Sequence, residues 1–533
     1  MRKILFTIVW VASFSITLLK SQPFRKLYDV QKLGGNSLVE FQNGTIFMPI
    51  GQISKISPNG NFSIGINTAS NGGYLYQAIK INNQSMIAVG SFNDSCVDPV
   101  ENFPFISYLD TNFNFTNGRH YRSYGLCRLG SNGIERLESN NYLTYGRGYK
   151  WGSIPINPFA LLVDNTLDSV IFCKYFSRKG NCVFGKQLPD GNIMLGANFD
   201  SIGACVIKLD SIGNILWCKS IVRPTGIFLS AVVNNDGTLM ITGIDDYLDW
   251  NFAFNGPYPA NYHPQLFIMK MDTGGTVLWC KGYSSTFKGQ WIAGQPAPII
   301  KTFDDNFVFA ALKITDKTYL PNTGAYVKLL KVDANGDTIY TRGYGAPSGR
   351  DTYLGNLIQS KDTGYLITGN FEGKPFSFGG SYLFKTDTGG YTPCGGMYDE
   401  PLNMTPLFFT DSLMSLSSID GADVLPAFAT PLFSTSVITA DDCIVLANPT
   451  TSPQSLYSWP YPNPTKGEVN IQKSNNVPLS YITVYNHQGI LVLQKKLEQD
   501  EEGKIDLSKF GPGLYLIKIN EQGKIRTEQV VVE

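Results

Sequence analysis

The chain offers few residues with the chemistry of a catalytic or metal site. Its 533 residues include three histidines, His120, His263 and His487, which lie far apart in the sequence. The hydrolase motifs H-E-x-x-H and G-x-S-x-G do not occur, and no cysteines have the paired spacing of a zinc site. The sequence therefore predicts neither a metal ion nor a cofactor, and it favours a protein that is not an enzyme.

Carboxylates are the group that could still support catalysis, because glycoside hydrolases need two well-placed acids. Asp245, Asp246 and Asp249 stand close together in one predicted loop. Acidic clusters of this kind usually solvate a loop, so they are a weak indication of hydrolysis. A secreted hydrolase of polysaccharide or peptide is one alternative function, and a structural surface component is another.

Aromatic residues in predicted loops are the better candidates for binding. The stretch from 245 to 265 carries six of them, and further aromatic residues occur in neighbouring loops. The predicted ligand-binding residues are Tyr149, Trp151, Tyr247, Trp250, Tyr258, Tyr262 and Trp291. Exposed aromatic rings suit stacking on a sugar face or anchoring a protein partner. The alternative is that these rings fold back as a local hydrophobic plug.

The charge balance argues against nucleic acid as a partner. The chain has 43 basic and 43 acidic residues, and no basic tract stands out. Charged residues make up 16% of the chain, below the roughly 25% of a typical soluble protein. Aromatic residues make up 13%, and there are 53 glycines and 29 prolines. Many short apolar strands separated by turns would give this composition.

The first 21 residues have the pattern of a secretory signal peptide. Arg2 and Lys3 precede a short apolar run from Ile4 to Leu19, and the small Ser21 gives a plausible cleavage point. A membrane anchor is the less favoured alternative. No later stretch is long and apolar enough for a membrane span, so we expect no transmembrane helix in the mature chain.

Two short phrases alternate along the chain, seven times each. The first is K-x-D-x-x-G-x-φ-x-W, where φ is apolar; "IKLDSIGNILWCKSI" (207–221) and "MKMDTGGTVLWCKGY" (269–283) show it most clearly. The second is Asp or Asn with Gly, followed by several apolar residues. Both phrases predict tight hairpin turns beside buried strands. We expect the repeated Asp to cap its turn rather than bind calcium, which needs several oxygens.

Seven repeats of four short strands predict an all-β fold, a seven-bladed β-propeller with four-stranded antiparallel blades, over residues 35–394. Closing the ring covers the apolar faces that an open stack would leave in water. An open β-solenoid is the alternative. Trp217 and Trp279 are predicted to lie on core strands as packing residues rather than as ligand platforms.

The cysteines are predicted to be mostly structural. Cys173, Cys218 and Cys280 occupy equivalent positions in three repeats, where we expect buried thiols. Export makes disulfides possible, although nine cysteines leave at least one unpaired within the chain. The pairs chosen for testing are Cys96–Cys127, Cys182–Cys205 and Cys394–Cys443.

Three further segments follow the repeats. Residues 395–447 either close the last blade or form a small cap, and residues 448–460 are a linker rich in Pro, Ser and Thr. Residues 461–533 show alternating strands with tight turns, which predict a small, separate β-sandwich.

Both modules resemble parts of proteins exported by the type IX secretion system. The repeats resemble the propeller-repeat domains of such proteins, and residues 461–533 resemble their type A C-terminal sorting domain. The matching sorting residues are Tyr461, Pro462, Asn463, Pro464, Gly467, Gly489, Gly513 and Tyr515. The resemblance implies a Gram-negative host, passage through the periplasm, handling by the secretion machinery, and release or display at the cell surface. With no catalytic motif, the favoured function is non-catalytic binding or adhesion of a glycan or protein.

Overall fold

The computed structural model of the chain describes two compact units, residues 1–443 and residues 444–533. The described residues are 23–28, 37–50, 52–67, 74–94, 101–123, 126–150, 156–222, 226–245, 265–285, 289–291, 298–315, 325–344, 352–371, 380–392, 397–398, 402–426, 432–434, 439–441, 459–461, 465–472, 479–486, 490–496, 503–521 and 524–533.

The first unit is a seven-bladed β-propeller, so the predicted fold is confirmed. Each blade has four antiparallel strands in sequence order, from the first, inner strand to the fourth, outer strand. Blades 1 to 3 are Val39–Glu40, Ile46–Ile50, Gln52–Ile56, Phe62–Asn67; Tyr74–Lys80, Ser85–Asp94, Glu101–Asp110, Phe115–Ser123; and Leu126–Arg136, Tyr142–Lys150, Ile156–Val163, Val170–Phe176. Blades 4 and 5 are Gly180–Gln187, Ile193–Phe199, Gly203–Leu209, Ile215–Val222; and Ile227–Val233, Leu239–Asp245, Gln265–Met271, Val277–Ser285. Blade 6 has a divided first strand, Gly289–Trp291 and Ile299–Lys301, then Phe307–Thr315, Ala325–Val332 and Thr338–Tyr344.

Blade 7 contains strands from both ends of the ring sequence. Thr352–Gln359, Tyr365–Phe371 and Gly380–Lys385 are its first three strands, and the N-terminal Phe24–Tyr28 is its outer strand. The predicted ring, 35–394, therefore omitted one strand. Residues 24–28 thus join the last blade and close the ring.

The blades are held together by hydrophobic packing between neighbours. The second and third strands are buried along most of their length; Leu239–Asp245 is buried at every residue. Separate apolar clusters fill the seven junctions between adjacent blades. At the closing junction, Tyr28 packs with Ile46 of blade 1 and Leu366 of blade 7. Strands covered on both faces read as continuous apolar runs, which is the pattern in the sequence.

The repeated K-x-D-x-x-G phrase forms the turn between the third and fourth strands. In blade 5 the Asp272 carboxylate accepts hydrogen bonds from the backbone N–H groups of Gly274 (2.9 Å) and Thr276 (2.7 Å). Gly275 has a φ of +79°, a conformation that favours glycine. Equivalent bonds to turn N–H groups occur at Asp110, Asp210, Asp333 and Asp387. The prediction that these carboxylates cap turns is confirmed.

The repeated aromatic residue packs on the same turn of the next blade. A methyl group added to Gly275 would lie 2.5 Å from the Trp217 indole of blade 4. Four residues after the aromatic position, Tyr283 of blade 5 is fully buried and donates its hydroxyl to the Gly336 carbonyl oxygen at 2.5 Å. We call these two contacts the interblade latch. Its other hydroxyl bonds run from Tyr28 to Gly60, Tyr121 to Leu167 and Tyr344 to Gly390.

A recurring ion pair ties the third strand to the turn between the first and second strands. In blade 5, Lys270 Nζ lies 3.1 Å from Asp236 Oδ2. The matching pairs are Lys208–Asp190 at 2.8 Å, Lys331–Asp304 at 2.6 Å and Lys385–Asp362 at 3.0 Å. The hydrogen bond from Thr238, supported by Lys270, lowers the pKa of Asp236 to about 2. The carboxylate therefore stays charged at neutral pH.

Residues 397–441 form a belt around the outside of the ring. Short segments add a fifth antiparallel strand to every blade, in the order 6, 5, 4, 3, 2, 1 and 7. These segments are Met397–Tyr398, Leu402–Pro406, Thr410–Leu413, Ser418–Asp420, Ala422–Pro426, Leu432–Ser434 and Thr439–Asp441. We expected residues 395–447 to close the last blade or form a cap. Instead the segment covers the outer edge of all seven blades.

Charge and apolar packing both fix the belt. Residues 395–447 contain seven acidic residues and no Lys, Arg or His. Asp420 pairs with Lys174 at 2.5 Å, and Asp411 pairs with Lys219 at 2.8 Å. Leu407 of the belt is buried in the apolar cluster between blades 4 and 5. The belt thereby covers edge strands through which sheets would otherwise associate.

The cysteine predictions have mixed outcomes. Cys173, Cys218 and Cys280 are buried, as predicted. The Cys182–Cys205 disulfide is wrong, because both are free thiols on strands that flank Ala197. Two strand spacings separate them by about 9.5 Å, beyond the reach of a disulfide. The other proposed pairs, Cys96–Cys127 and Cys394–Cys443, include residues outside the described part of the chain.

The second unit is a small β-sandwich, as predicted. One sheet contains Trp459–Tyr461, Glu468–Gln472 and Gly503–Asp506; the other contains Leu491–Lys496, Leu479–Asn486, Gly513–Glu521 and Lys524–Val532. A short 3-10 helix, Ser508–Phe510, follows the first sheet. Val469 and Ile505 of one sheet and Ile482 and Ile517 of the other are buried in a common core.

If the interblade latch stabilises the ring, removal of one of its hydroxyl groups should cause a measurable loss of stability. Tyr283→Phe should lower the free energy of unfolding by about 1–2 kcal/mol, because the buried Gly336 carbonyl loses its donor while the ring keeps its shape. Denaturant unfolding measures this difference. Tyr481→Phe, which removes a hydroxyl from a 40% exposed side chain, is the control. Equal stability of the two variants would contradict the latch.

The belt predicts a difference between two truncations. Truncation after Ala447 keeps the belt, whereas truncation after Cys394 removes it; both lack the second unit. We expect the shorter protein to associate and to unfold at a lower temperature, because seven outer edges become unpaired. Light scattering after size exclusion and thermal unfolding report the two effects. A monomeric shorter protein with the melting temperature of the longer one would show that the belt is dispensable.

Candidate functional site

The predicted aromatic site falls largely outside the described residues. Trp151, Tyr247, Trp250, Tyr258 and Tyr262 all lie outside that part of the chain.

Two other members of this site, Tyr149 and Trp291, lie at the end of a second strand and in a first strand, and their side chains are not described. The backbone does locate the ends of the longest loop. Asp245 pairs with Gln265, so residues 246–264 connect the second and third strands of blade 5. These strand ends lie opposite the capped turns.

One of the three histidines lies in the described part of the chain, and it packs against an aromatic ring. His120 is buried, and its ring lies edge-on to Phe105 at 5.7 Å between centroids. His263 and His487 lie outside the described residues. Within the described ranges, no group of three His, Cys, Asp or Glu side chains is placed to hold a metal ion.

The first strands of all seven blades surround a central cavity of about 530 Å³. The cavity extends to the turns that follow these strands, where Phe303 is 69% exposed. Ligand sites commonly have volumes of about 300–1,000 Å³. The cavity is therefore large enough for a small molecule.

One layer of the first strands is apolar in five blades and charged in two. In each blade, the member of this layer lies two residues before the residue whose backbone N–H closes the turn between the first and second strands. They are, from blade 1 to blade 7, Val39, Ile79, Glu135, Lys186, Val232, Ile300 and Ile358. Glu135 Oε2 and Lys186 Nζ, the channel pair, are 2.8 Å apart with 31% and 19% of their side chains exposed. Both side chains line the cavity.

The channel pair belongs to no sequence motif and to no long loop, so it was not among the predicted site residues. The available signal was the alignment of the seven first turns, in which two adjacent repeats replace an aliphatic residue with opposite charges. Fifty-one residues separate Glu135 from Lys186. Only the ring geometry makes them neighbours.

A second charged group that lines the cavity, Glu40 and Lys361, has a structural role at the closing junction. The Glu40 carboxylate of blade 1 accepts hydrogen bonds from the Ser360 hydroxyl at 2.9 Å and the Lys361 backbone N–H at 3.0 Å, both in blade 7. Lys361 Nζ donates to the Phe41 carbonyl oxygen. Burial, together with nearby lysines, lowers the pKa of Lys361. These contacts tie blade 7 to blade 1.

The sorting residues have defined roles in the second unit. Gly467 has a φ of +125°, and an added methyl group would lie 2.5 Å from Ser508 Cβ. The Tyr515 hydroxyl donates to the carbonyl oxygens of Phe510 and Gly511, each at 2.8 Å. Gly513 begins the strand that carries Tyr515.

One further sorting residue, Tyr461, lies in the described part of the chain. Tyr461 ends a strand and pairs with Asn470. Pro462, Asn463, Pro464 and Gly489 lie outside the described residues. In the part of the chain with described coordinates, no helix has the length and apolar character to cross a membrane.

Comparison with known proteins gives one specific match. Residues 460–533 match the family described as the secretion system C-terminal sorting domain. No curated protein matches the chain.

Solved structures with similar folds are distant. A luciferin-regenerating enzyme is 10% identical, covers 68% of this chain and 95% of its own, and has a TM-score of 0.31. A family 25 ulvan lyase also shows 10% identity and the same coverages, with a TM-score of 0.39. PorZ of Porphyromonas gingivalis, a surface component of the type IX secretion system, is 10% identical over 93% of this chain and 81% of its own, with a TM-score of 0.22. These likenesses carry no functional argument.

The family match spans the second unit's described β-sandwich, including the buried Tyr515 and the constrained Gly467. A sorting domain of this family directs its cargo to the cell surface or the medium. The chain is therefore a cargo protein of the type IX secretion system, with a β-propeller and a C-terminal sorting domain, exported to the cell surface or secreted.

Proposed function

We propose that the propeller is a non-catalytic binding or adhesion module for a glycan or another protein. The observation that carries this proposal is the Asp245–Gln265 pairing in blade 5. Residues 246–264 connect these two strand ends and contain six aromatic residues. Aromatic rings on loops held by a rigid scaffold are well suited to binding sugars and proteins.

The strand directions support a shared binding surface. In every blade, second strands end and first strands begin at the end of the ring opposite the capped turns. Tyr149 lies at the end of a second strand, and Trp291 lies in a first strand. The proposed surface comprises Tyr149, Trp151, Tyr247, Trp250, Tyr258, Tyr262 and Trp291.

The roles of the described carboxylates also support binding rather than hydrolysis. Asp190, Asp236 and Asp304 pair with lysines of the same blade. Asp272 and Asp333 accept hydrogen bonds from their own turns. These five acids stabilise the scaffold, which is a structural rather than a catalytic role.

The proposed export route has two steps in a Gram-negative host. Residues 1–21 act as the signal peptide for the inner membrane. Residues 461–533 are then handled by the type IX machinery at the outer membrane, with residues 448–460 as the linker. The machinery is thus the proposed partner of the sorting domain.

Truncation after Ala447 should block the second step and leave the propeller folded. The ring and belt both lie within residues 1–443, so their core does not depend on the sorting domain. We expect the truncated protein to accumulate in the periplasm, as measured by cell fractionation and protease protection. The full-length protein is the control. Surface display of the truncated protein at the normal level would overturn the proposed route.

Trp250→Ala tests the binding surface. A glycan array and a pull-down of candidate surface proteins first identify the ligand of the wild-type protein. The substitution should then weaken binding by about 1–3 kcal/mol, typical of a lost aromatic anchor, with little change in melting temperature.

The alternative, a hydrophobic plug, predicts the opposite pattern. Loss of a buried aromatic ring would lower the free energy of unfolding by about 3–5 kcal/mol. Trp217→Ala serves as a control for destabilisation, because this indole packs at the junction of blades 4 and 5. A Trp250 variant as unstable as this control, with unchanged ligand affinity, would contradict the proposed surface.

A further inference from the structure

The channel pair, Glu135 and Lys186, is an exception to the sevenfold pattern of the ring. At the same position the other blades carry Val or Ile. Val39 is buried there, and Ile79 and Ile300 are partly buried. An aliphatic side chain therefore fits this layer in most blades.

The stability of the ring does not account for the pair. A partly exposed ion pair contributes about 0–1 kcal/mol, and apolar replacements of buried pairs are often neutral or stabilising. The recurring pairs such as Lys208–Asp190 differ, because they connect a third strand to a turn in several blades. The channel pair connects two blades at one place in the ring. This isolated departure indicates a role in recognition.

The surroundings define what the pair would recognise. Its carboxylate and ammonium groups stand side by side at 2.8 Å. The other lining residues of the cavity include an aliphatic set, with Ile79, Ile300 and Ile358, and a polar or charged set, Glu40, Gln77, Lys80, Ser230, Asn356, Gln359 and Lys361. A ligand that matches both groups needs an ammonium and a carboxylate at similarly close spacing. It also needs an aliphatic body for the walls. A free α-amino acid with an aliphatic side chain has all three features.

We infer that the central channel binds a free aliphatic α-amino acid, with Glu135 accepting hydrogen bonds from its ammonium group and Lys186 donating to its carboxylate. Charge-assisted hydrogen bonds of this kind are the stronger class. The side chain of the ligand packs on the aliphatic walls. The site is built from first strands, so this binding does not depend on the proposed aromatic loop surface.

Calorimetric titration of the full-length protein with L-leucine tests the inference. Isocaproate lacks the ammonium group and isoamylamine lacks the carboxylate, but both keep the aliphatic body. We expect leucine to bind and each analogue to bind at least about tenfold more weakly, because each analogue lacks the group that hydrogen-bonds to Glu135 or to Lys186. Absence of leucine binding, or equal affinity for isocaproate, would overturn the inference; the second result would indicate a simple anion site.

The double variant Glu135→Leu/Lys186→Leu restores the aliphatic layer and should abolish leucine binding while the melting temperature stays the same or rises. Glu135→Gln/Lys186→Met keeps the side-chain lengths and provides the same test if the first variant folds poorly. Lys301→Leu is the matched control, since it removes a lysine that pairs with Asp305 near a first turn. Wild-type leucine affinity in either double variant would refute the site, and so would an equal loss in the control.

Discussion

The ring depends on the interblade latch, in which an outer strand holds the hairpin turn of the following blade. Trp217 packs on Gly275, while Tyr283 donates to the Gly336 carbonyl. The turn must therefore leave space for an aromatic ring and present a buried carbonyl oxygen. This requirement explains why the glycine and the aromatic residue recur in one phrase. The glycine of a phrase contacts the preceding blade, and the aromatic residue contacts the following blade. The hydroxyl bond occurs at four junctions, including the one that closes the ring, where Tyr28 donates to Gly60.

Closure and edge protection are achieved by the two ends of the first unit. Phe24–Tyr28 becomes the outer strand of blade 7, and its Tyr28 reaches the turn of blade 1. Thr439–Asp441 then pairs with the other edge of Phe24–Tyr28. The closing strand is thus held from both sides. The acidic belt meets lysines of the outer strands, which aligns it with the ring through contacts such as Lys174–Asp420.

The two ends of the ring differ in structure. At one end, aspartates cap turns and pair with lysines, so their charges are used by the scaffold. At the other end, blade 5 carries its long aromatic insert between Asp245 and Gln265. A scaffold fixed at one end tolerates sequence change in the loops at the other. The channel passes between the first strands and offers the opposite charges of Glu135 and Lys186.

The sequence by itself determined the repeated blade, the capped turns and the sorting domain, because each depends on residues close together in the chain. Hairpins are local, so seven copies of one phrase predict seven blades. The belt, the closing strand and the channel pair were decided by tertiary structure. Lys174 and Asp420 are 246 residues apart, and their segments share no repeated phrase. Backbone pairing at an outer edge places little demand on side-chain identity, so it leaves no sequence pattern. The channel pair likewise exists only because ring closure brings two aligned positions face to face.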